Sequence, residues 1–197
     1  LGYDDTHNGY FITHDIYEEW TLNKIVSRSF SNYASTNDFF DDLGNSLPIR
    51  RAFRLWLSDH LSENSKEIES FIQGAFTNIE ITQFWKDEIL VSILLSDYSE
   101  AFFNSFEKEI IENDFKILKR ILFLLRIACT DISAIENVEI TKPKGKGWEE
   151  VISLIHKHQS DFFDNNLKLV LPVLTDWCDF NKTGATTKYA GLLALSL

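Results

Sequence analysis

The chain is 197 residues long, carries a formal net charge of −11 at pH 7 and contains 14% aromatic residues. Aromatic side chains at this density supply a sizeable apolar core, which argues against an intrinsically disordered chain. The excess of carboxylates disfavours the phosphates of nucleic acids and of anionic membranes, so we expect neither as a partner.

The two cysteines and the first residue bear on the origin of the chain. Cys129 and Cys178 lie inside apolar runs rather than in paired loops, which predicts buried free thiols in a reducing, cytoplasmic compartment. No apolar run reaches the ~18 residues of a membrane span. Because the chain begins with Leu1 and contains no Met, we expect it to be part of a longer protein.

The N-terminal residues 1–12 differ from the rest of the chain. Tyr10-Phe11-Ile12 favours a β-strand, and His7-Asn8-Gly9 before it is typical of a turn. We therefore predict a short hairpin or wing. Thr13 or a neighbour can then cap a helix that includes residues 16–25.

Helices separated by short polar breaks follow to the end of the chain. We predict them around Phe39, from Pro48, over 65–77 and 82–95, from Asp97, from Asp114, from Trp148, over 166–177 and over 184–195. Pro172 is expected to kink its helix, and residues 131–147 are expected to form one long, exposed loop. The layout predicts an all-α fold of antiparallel helix pairs in an irregular α-solenoid-like array with a short N-terminal β-hairpin; a compact irregular helical domain is the alternative.

The motifs that could carry chemistry are weak. Gly145-Lys146-Gly147 lacks the spacing of a phosphate-binding loop, and His156 and His158 face different directions on a helix because they are two residues apart. The acidic and histidine side chains of residues 4–7 are typical of a solvated hairpin tip. We therefore assign no catalytic residue and no metal site.

Arg50, Arg51 and Arg54 form the clearest basic cluster in the chain. Their spacing places them away from the apolar side of the helix that begins at Pro48. Two interpretations stay open: a solvated face paired with nearby carboxylates, or a contact with a partner or an anion. We treat the three arginines as candidate partner-binding residues.

His14 is the candidate ligand-binding residue. It lies between the predicted strand and the first helix, where free N–H groups and the helix dipole favour anions. An imidazole there can donate a hydrogen bond to a phosphate, although position alone favours a structural histidine.

The stretch Tyr10-Phe11-Ile12-Thr13-His14-Asp15-Ile16-Tyr17-Glu18-Glu19-Trp20 resembles the end of the winged-helix domain of bacterial STAND-type NTPases, the NACHT and NB-ARC relatives. In that superfamily the winged-helix histidine reaches the β-phosphate of bound ADP and helps to hold the inactive state. The residue that matches is His14. Residues 45–57 are also similar to the helix that follows the winged helix in large bacterial members.

The resemblance implies an organisation and a role for the chain. Residues 1–30 would end a winged-helix-like domain, residues 31–64 would form connecting helices, and residues 65–197 would form a helical-repeat-like domain. The Walker motifs are absent, so the resemblance implies no catalysis and no cofactor in this part, with ATP or ADP bound upstream in the parent protein. It also implies a protein partner or the upstream nucleotide-binding domain as the contact, a homo-oligomer formed through the parent, and a signalling role such as antiviral defence.

A second hypothesis needs no nucleotide. In it the chain is a stand-alone helical-repeat module that binds a protein or peptide through a concave face.

Overall fold

A computed structural model describes residues 2–4, 9–11, 15–63, 66–135 and 138–196, and most of these residues are helical. It divides into two compact units, Leu1–Ile89 and Leu90–Leu197. The predicted all-α class with a small N-terminal hairpin is confirmed.

The first unit contains a short hairpin and a set of helices. Its elements are β1 (Gly2–Asp4), β2 (Gly9–Phe11), α1 (Asp15–Asn32), α2 (Thr36–Leu43), α3 (Leu47–Ser62), α4 (Lys66–Thr77) and the first part of α5 (Gln83–Leu95). The strands β1 and β2 pair antiparallel, with Gly2 opposite Phe11 and Asp4 opposite Gly9. A serine caps α2: the Ser35 hydroxyl accepts a hydrogen bond from the Asp38 N–H.

A cluster of buried aromatic side chains forms the core of the first unit. It comprises Phe30, Phe39, Phe40, Phe53, Trp56, Phe71 and Trp85, so it draws on each of the helices α1 to α5. Ring centroids lie 4.7 Å apart between Phe30 and Trp56 and 5.3 Å apart between Phe39 and Phe71. Such pairs add about 0.5–1.5 kcal/mol each beyond the burial of their area. Residues 66–89 therefore share a core with the helices before them, and the compact units do not follow the border predicted at residue 64.

The second unit combines helices with a β-hairpin. After the end of α5 it contains α6 (Ser99–Ala128), β3 (Thr130–Ile135), β4 (Val138–Pro143), α7 (Gly147–Lys157), α8 (Gln159–Phe180) and α9 (Ala185–Leu195). The beginning of α7 lies at the end of α6, because the Trp148 Nε1–H donates to the Cys129 carbonyl over 2.8 Å. Only His158 separates α7 from α8, these two helices contact each other, and α9 packs against both.

The predicted loop over residues 131–147 is wrong in its first part. Residues 130–143 form a second antiparallel hairpin, with pairs from Thr130 opposite Pro143 to Ile135 opposite Val138. The physical reason is a period-two alternation of β-branched residues on both strands, as at Thr130 and Ile132, which favours a pleated strand. The basic stretch 142–147, which contains Gly and Pro, is typical of a loop and lies directly after the second strand.

The helix interruptions also differ from the prediction. The residue with non-helical angles in α8 is Asn166, at φ −126° and ψ 19°, and its side-chain amide donates to the Phe162 carbonyl over 2.8 Å. Pro172 lies inside α8, which continues past it to Phe180, and the kink expected there stays a prediction. In α6 the backbone leaves the helix at residues 112–115 and turns left-handed at Asn113, Asp114 and Phe115. This break separates the two helices predicted from Asp97 and Asp114.

Candidate functional site

Two of the three candidate arginines are held by one carboxylate. Arg50 and Arg54 are four residues apart on α3, so both point toward Glu88 of α5. Arg50 donates through Nε over 3.0 Å and through Nη2 over 2.6 Å to Glu88 Oε1, and the Arg54 Nε–H donates to Glu88 Oε2. The side chain of Glu88 is only 2% exposed, whereas those of Arg50 and Arg54 are 32% and 37% exposed.

In this arginine clamp, defined as Arg50, Arg54 and Glu88, the two guanidinium groups compensate the buried negative charge of Glu88. A buried carboxylate is costly unless charged donors replace its water. Glu88 is the one charged residue among the buried residues that the structure describes. The sequence shows the arginines but not their partner, because the pairing spans 34 to 38 positions. The available signal was a carboxylate directly before the uncharged, mostly apolar run 89–95 of α5.

Arg51 lies apart from the arginine clamp. It is exposed and makes no ion pair with any described residue. The neighbouring Arg50 guanidinium also stacks over the Phe84 ring, with its central carbon 4.2 Å from the ring centre. The basic cluster seen in the sequence therefore divides into two residues that serve the fold and one that remains available to a partner.

An open cleft of about 720 Å³ lies beside the arginine clamp, between α2 and the beginning of α5. It is lined by Asn37, Phe40, Asp41, Gly44, Asn45, Glu80, Ile81, Thr82, Phe84 and Trp85. Its aromatic wall is rigid, because Phe40 and Trp85 stack with their centroids 5.0 Å apart. The lining was not predicted from sequence, since its residues come from two segments about forty positions apart that only the fold brings together.

Side-chain hydrogen bonds fix the loop that forms one edge of the cleft. The Asn37 amide donates to the Glu80 carboxylate, and the Asn78 amide donates to Asn37 Oδ1 over 2.8 Å. The Glu80 N–H in turn donates to Asn78 Oδ1 over 2.9 Å. Lys86 holds the same loop by donating from Nζ to the Asn78 carbonyl over 2.8 Å. The cleft is therefore preformed rather than assembled by a mobile loop.

The candidate nucleotide contact, His14, lies outside the described residues, as do residues 5–8 and 12–14 as a whole. The structure describes what flanks it: β2 ends at Phe11 and α1 begins at Asp15. The order of strand and then helix is the predicted one, and the contact proposed for His14 stays a prediction.

The two histidines of the second unit have separate partners, as their spacing predicts. The His156 ring stacks on Tyr189 with centroids 4.6 Å apart, while His158 Nε2 lies 2.9 Å from Glu107 Oε1. Lys157 donates to the other oxygen of Glu107 over 2.6 Å, and these two hydrogen bonds lower the pKa of that carboxyl, the bond from Lys157 contributing most.

The glycine-rich stretch before α7 serves packing. Gly145 has φ +85°, and a Cβ there would lie 2.4 Å from the carbonyl oxygen of Leu94. The close approach of the Gly145 and Leu94 backbones therefore requires glycine at position 145, and this packing accounts for the glycine without a role in binding phosphate.

Comparisons with known proteins add no family to this picture. The sequence matches no protein-family model, and no curated protein matches it. Across the described ranges, no group of three or more His, Cys, Asp or Glu side chains is placed to hold a metal ion. In the same part of the chain we find no helix with the length and hydrophobicity needed to cross a membrane.

Proposed function

We propose that this chain is a non-catalytic part of a STAND-type, ATP-dependent signalling protein, and that it couples the nucleotide state of an upstream ATPase domain to a partner-binding helical region. The observation that supports this proposal is the junction at His14, where the hairpin strand β2 leads directly into α1. An antiviral sensing role follows from the sequence resemblance alone.

The proposed coupling has a simple physical basis. The first-turn amides of α1 favour an anion, and an imidazole at the junction adds a donor for the β-phosphate of ADP. A nucleotide shifts a conformational equilibrium only through its difference in affinity for the two states, and this contact would supply that difference. Because Phe30 of α1 packs on Trp56 of α3 and on Phe71 of α4, a displacement of α1 would carry the first unit with it.

The test is the affinity of the parent protein for ADP after His14→Ala. A hydrogen bond to a charged group contributes about 1.5–3 kcal/mol, so we expect binding to weaken about tenfold or more and basal activity to rise. The matched control is His156→Ala, which removes an imidazole that stacks on Tyr189 and should leave ADP binding unchanged. Unchanged ADP affinity and unchanged basal activity in the His14 variant would refute the proposal.

A second candidate is a helical protein-binding module without a nucleotide link. The cleft of the first unit favours it, because its aromatic wall and preformed polar edge are typical of a binding site. The parent sequence distinguishes the two candidates: a G-x-x-x-x-G-K-[ST] motif upstream supports the first. A natural protein that lacks this motif and shows no ADP binding in calorimetry supports the second.

A further inference from the structure

We propose that the cleft between α2 and α5 binds a lysine- or arginine-bearing segment of a protein partner. This inference rests on the partner-binding role proposed above, and it adds the chemistry of the partner. It begins from the composition of the lining, which contains two carboxylates, Asp41 and Glu80, and no Lys, Arg or His.

The charges around the cleft are arranged for a cation. Asp41 is exposed and has no hydrogen-bonding or charged partner among the described residues, so its carboxylate is available. Arg50, which stacks on the lining residue Phe84, is paired with Glu88. Lys86 does not line the cleft; it donates to the carbonyls of Phe76 and Asn78 and keeps its charge. Within the lining the charged side chains are the two carboxylates, and the net charge of −11 adds long-range attraction for basic partners.

The apolar part of the lining matches the stem of a basic side chain. Phe84 is the half-buried aromatic residue of the lining beside the carboxylates, while Trp85 and Ile81, only 4% and 5% exposed, contribute edges of their side chains. Lysine and arginine bury their methylene stems on apolar surface while the charged head remains with polar groups. A cation over an aromatic face gains further electrostatic attraction. Arg50, stacked on Phe84 at 4.2 Å, shows the same kind of contact within the chain.

The size and polarity of the cleft favour a peptide over an isolated cation. A volume of about 720 Å³ falls within the roughly 300–1,000 Å³ of ligand pockets, and it exceeds the needs of one ammonium group. The side-chain amide of Asn45 makes no hydrogen bond with a described residue and can bind a peptide backbone. The basic stretch Lys142–Lys146 of a second copy has suitable charges, but two molecules that each carry −11 repel one another. The occupant we infer is therefore a foreign basic segment.

The experiment titrates the 197-residue chain with an acetylated and amidated peptide, Gly-Arg-Leu-Lys-Gly, while NMR follows the backbone amides of Thr82 and Phe84. We expect saturable shifts at these amides and weaker binding as salt rises. Asp41→Asn and Glu80→Gln should each weaken binding about threefold to fivefold, as expected for a partly exposed ion pair. Asp42→Asn is the matched control: Asp42 is the next exposed carboxylate on α2, does not line the cleft, and should leave the affinity unchanged.

Each other outcome is informative. Equal binding of the charge-reversed peptide Gly-Glu-Leu-Asp-Gly at the same amides would overturn the basic partner and leave a partner-binding cleft in place. Competition by spermidine at equal affinity would replace the protein segment with a free amine and would also overturn the inference. Self-association in sedimentation experiments that Asp41→Lys abolishes would assign the cleft to a second copy. The absence of shifts at Thr82 and Phe84 would overturn the cleft itself, while ADP binding through His14 would remain a separate question.

Discussion

Removal of both arginines of the arginine clamp should cost more stability than removal of the carboxylate that they share. In the double variant Arg50→Ala/Arg54→Ala, Glu88 stays in a site that is 2% exposed and loses both guanidinium partners. In Glu88→Gln the two guanidinium groups lose their charge partner, but each is already about one third exposed and can turn to water. The loss of stability should therefore be larger when the arginines are removed than when the charge of Glu88 is removed.

The magnitudes follow from burial. Loss of the partners of a buried charge costs about 3–5 kcal/mol, and we take about 3 kcal/mol because the arginines keep part of their hydration in the folded state. The isosteric Glu88→Gln should cost about 1 kcal/mol, since it preserves volume and some hydrogen bonding. For a chain of this size, about 3 kcal/mol corresponds to a fall in Tm of roughly 6–12 °C.

The assay must report on the first unit alone, because two compact units need not unfold together. Hydrogen exchange of peptides from α3 and α4, followed with urea titration, gives the free energy of opening of that unit. Arg51→Ala is the control on the same helix and should change stability by less than about 0.5 kcal/mol. The explanation fails if Glu88→Gln costs as much as the double variant, or if Arg51→Ala costs as much as either.

Two further predictions concern the second unit. Gly145→Ala should destabilise the second unit by about 3 kcal/mol in a urea titration, because it combines a positive φ of 85° with a backbone oxygen 2.4 Å from the new Cβ. Gly184→Ala is the control: its φ is 113° but the space around it is open, so it should cost only about 1 kcal/mol. The folded pKa of Glu107 is lowered from 4.5, mainly by the hydrogen bond from Lys157, so its stabilisation is present above that value and is lost as the pH falls through the folded pKa. Glu107→Gln should therefore lower the unfolding free energy at pH 7, by an amount that decreases as the pH is taken below 4.5; an effect that does not decrease with falling pH would contradict the assignment.

Helix positions could be predicted well from the sequence where one face is apolar. The helices predicted over 65–77 and 82–95 agree with α4 and α5 to one residue. In α4 a stripe of buried side chains at helical spacing leaves little choice, whereas α5 is a continuous apolar run that is too long for a typical strand. The hairpin at 130–143 was missed because each strand is short and its polar residues are typical of a loop as well. The non-helical residue Asn166 in α8 was not predicted, because an asparagine at the beginning of an apolar run is typical of a helix start as well.

The candidate site could be predicted only in part, and the reason is again distance along the chain. Helical spacing predicts that Arg50 and Arg54 share a face, but it gives no information about Glu88, which belongs to another helix. The cleft depends on the placement of the loop at Glu80 against α2, which side-chain amide bonds decide. Sequence patterns record what each segment buries; they do not record which segment covers it.

The left-handed break at residues 113–115 turns α6 into two helices in series. The regular helical backbone is therefore interrupted inside the element as well as at its two ends, where an unbroken helix would have its only weak points. Fraying can therefore start from the middle of the element as well as from its ends, so the two halves can open as separate cooperative segments. Their protection against solvent exchange is set by what each half packs against, and the length of α6 as a whole contributes little to it.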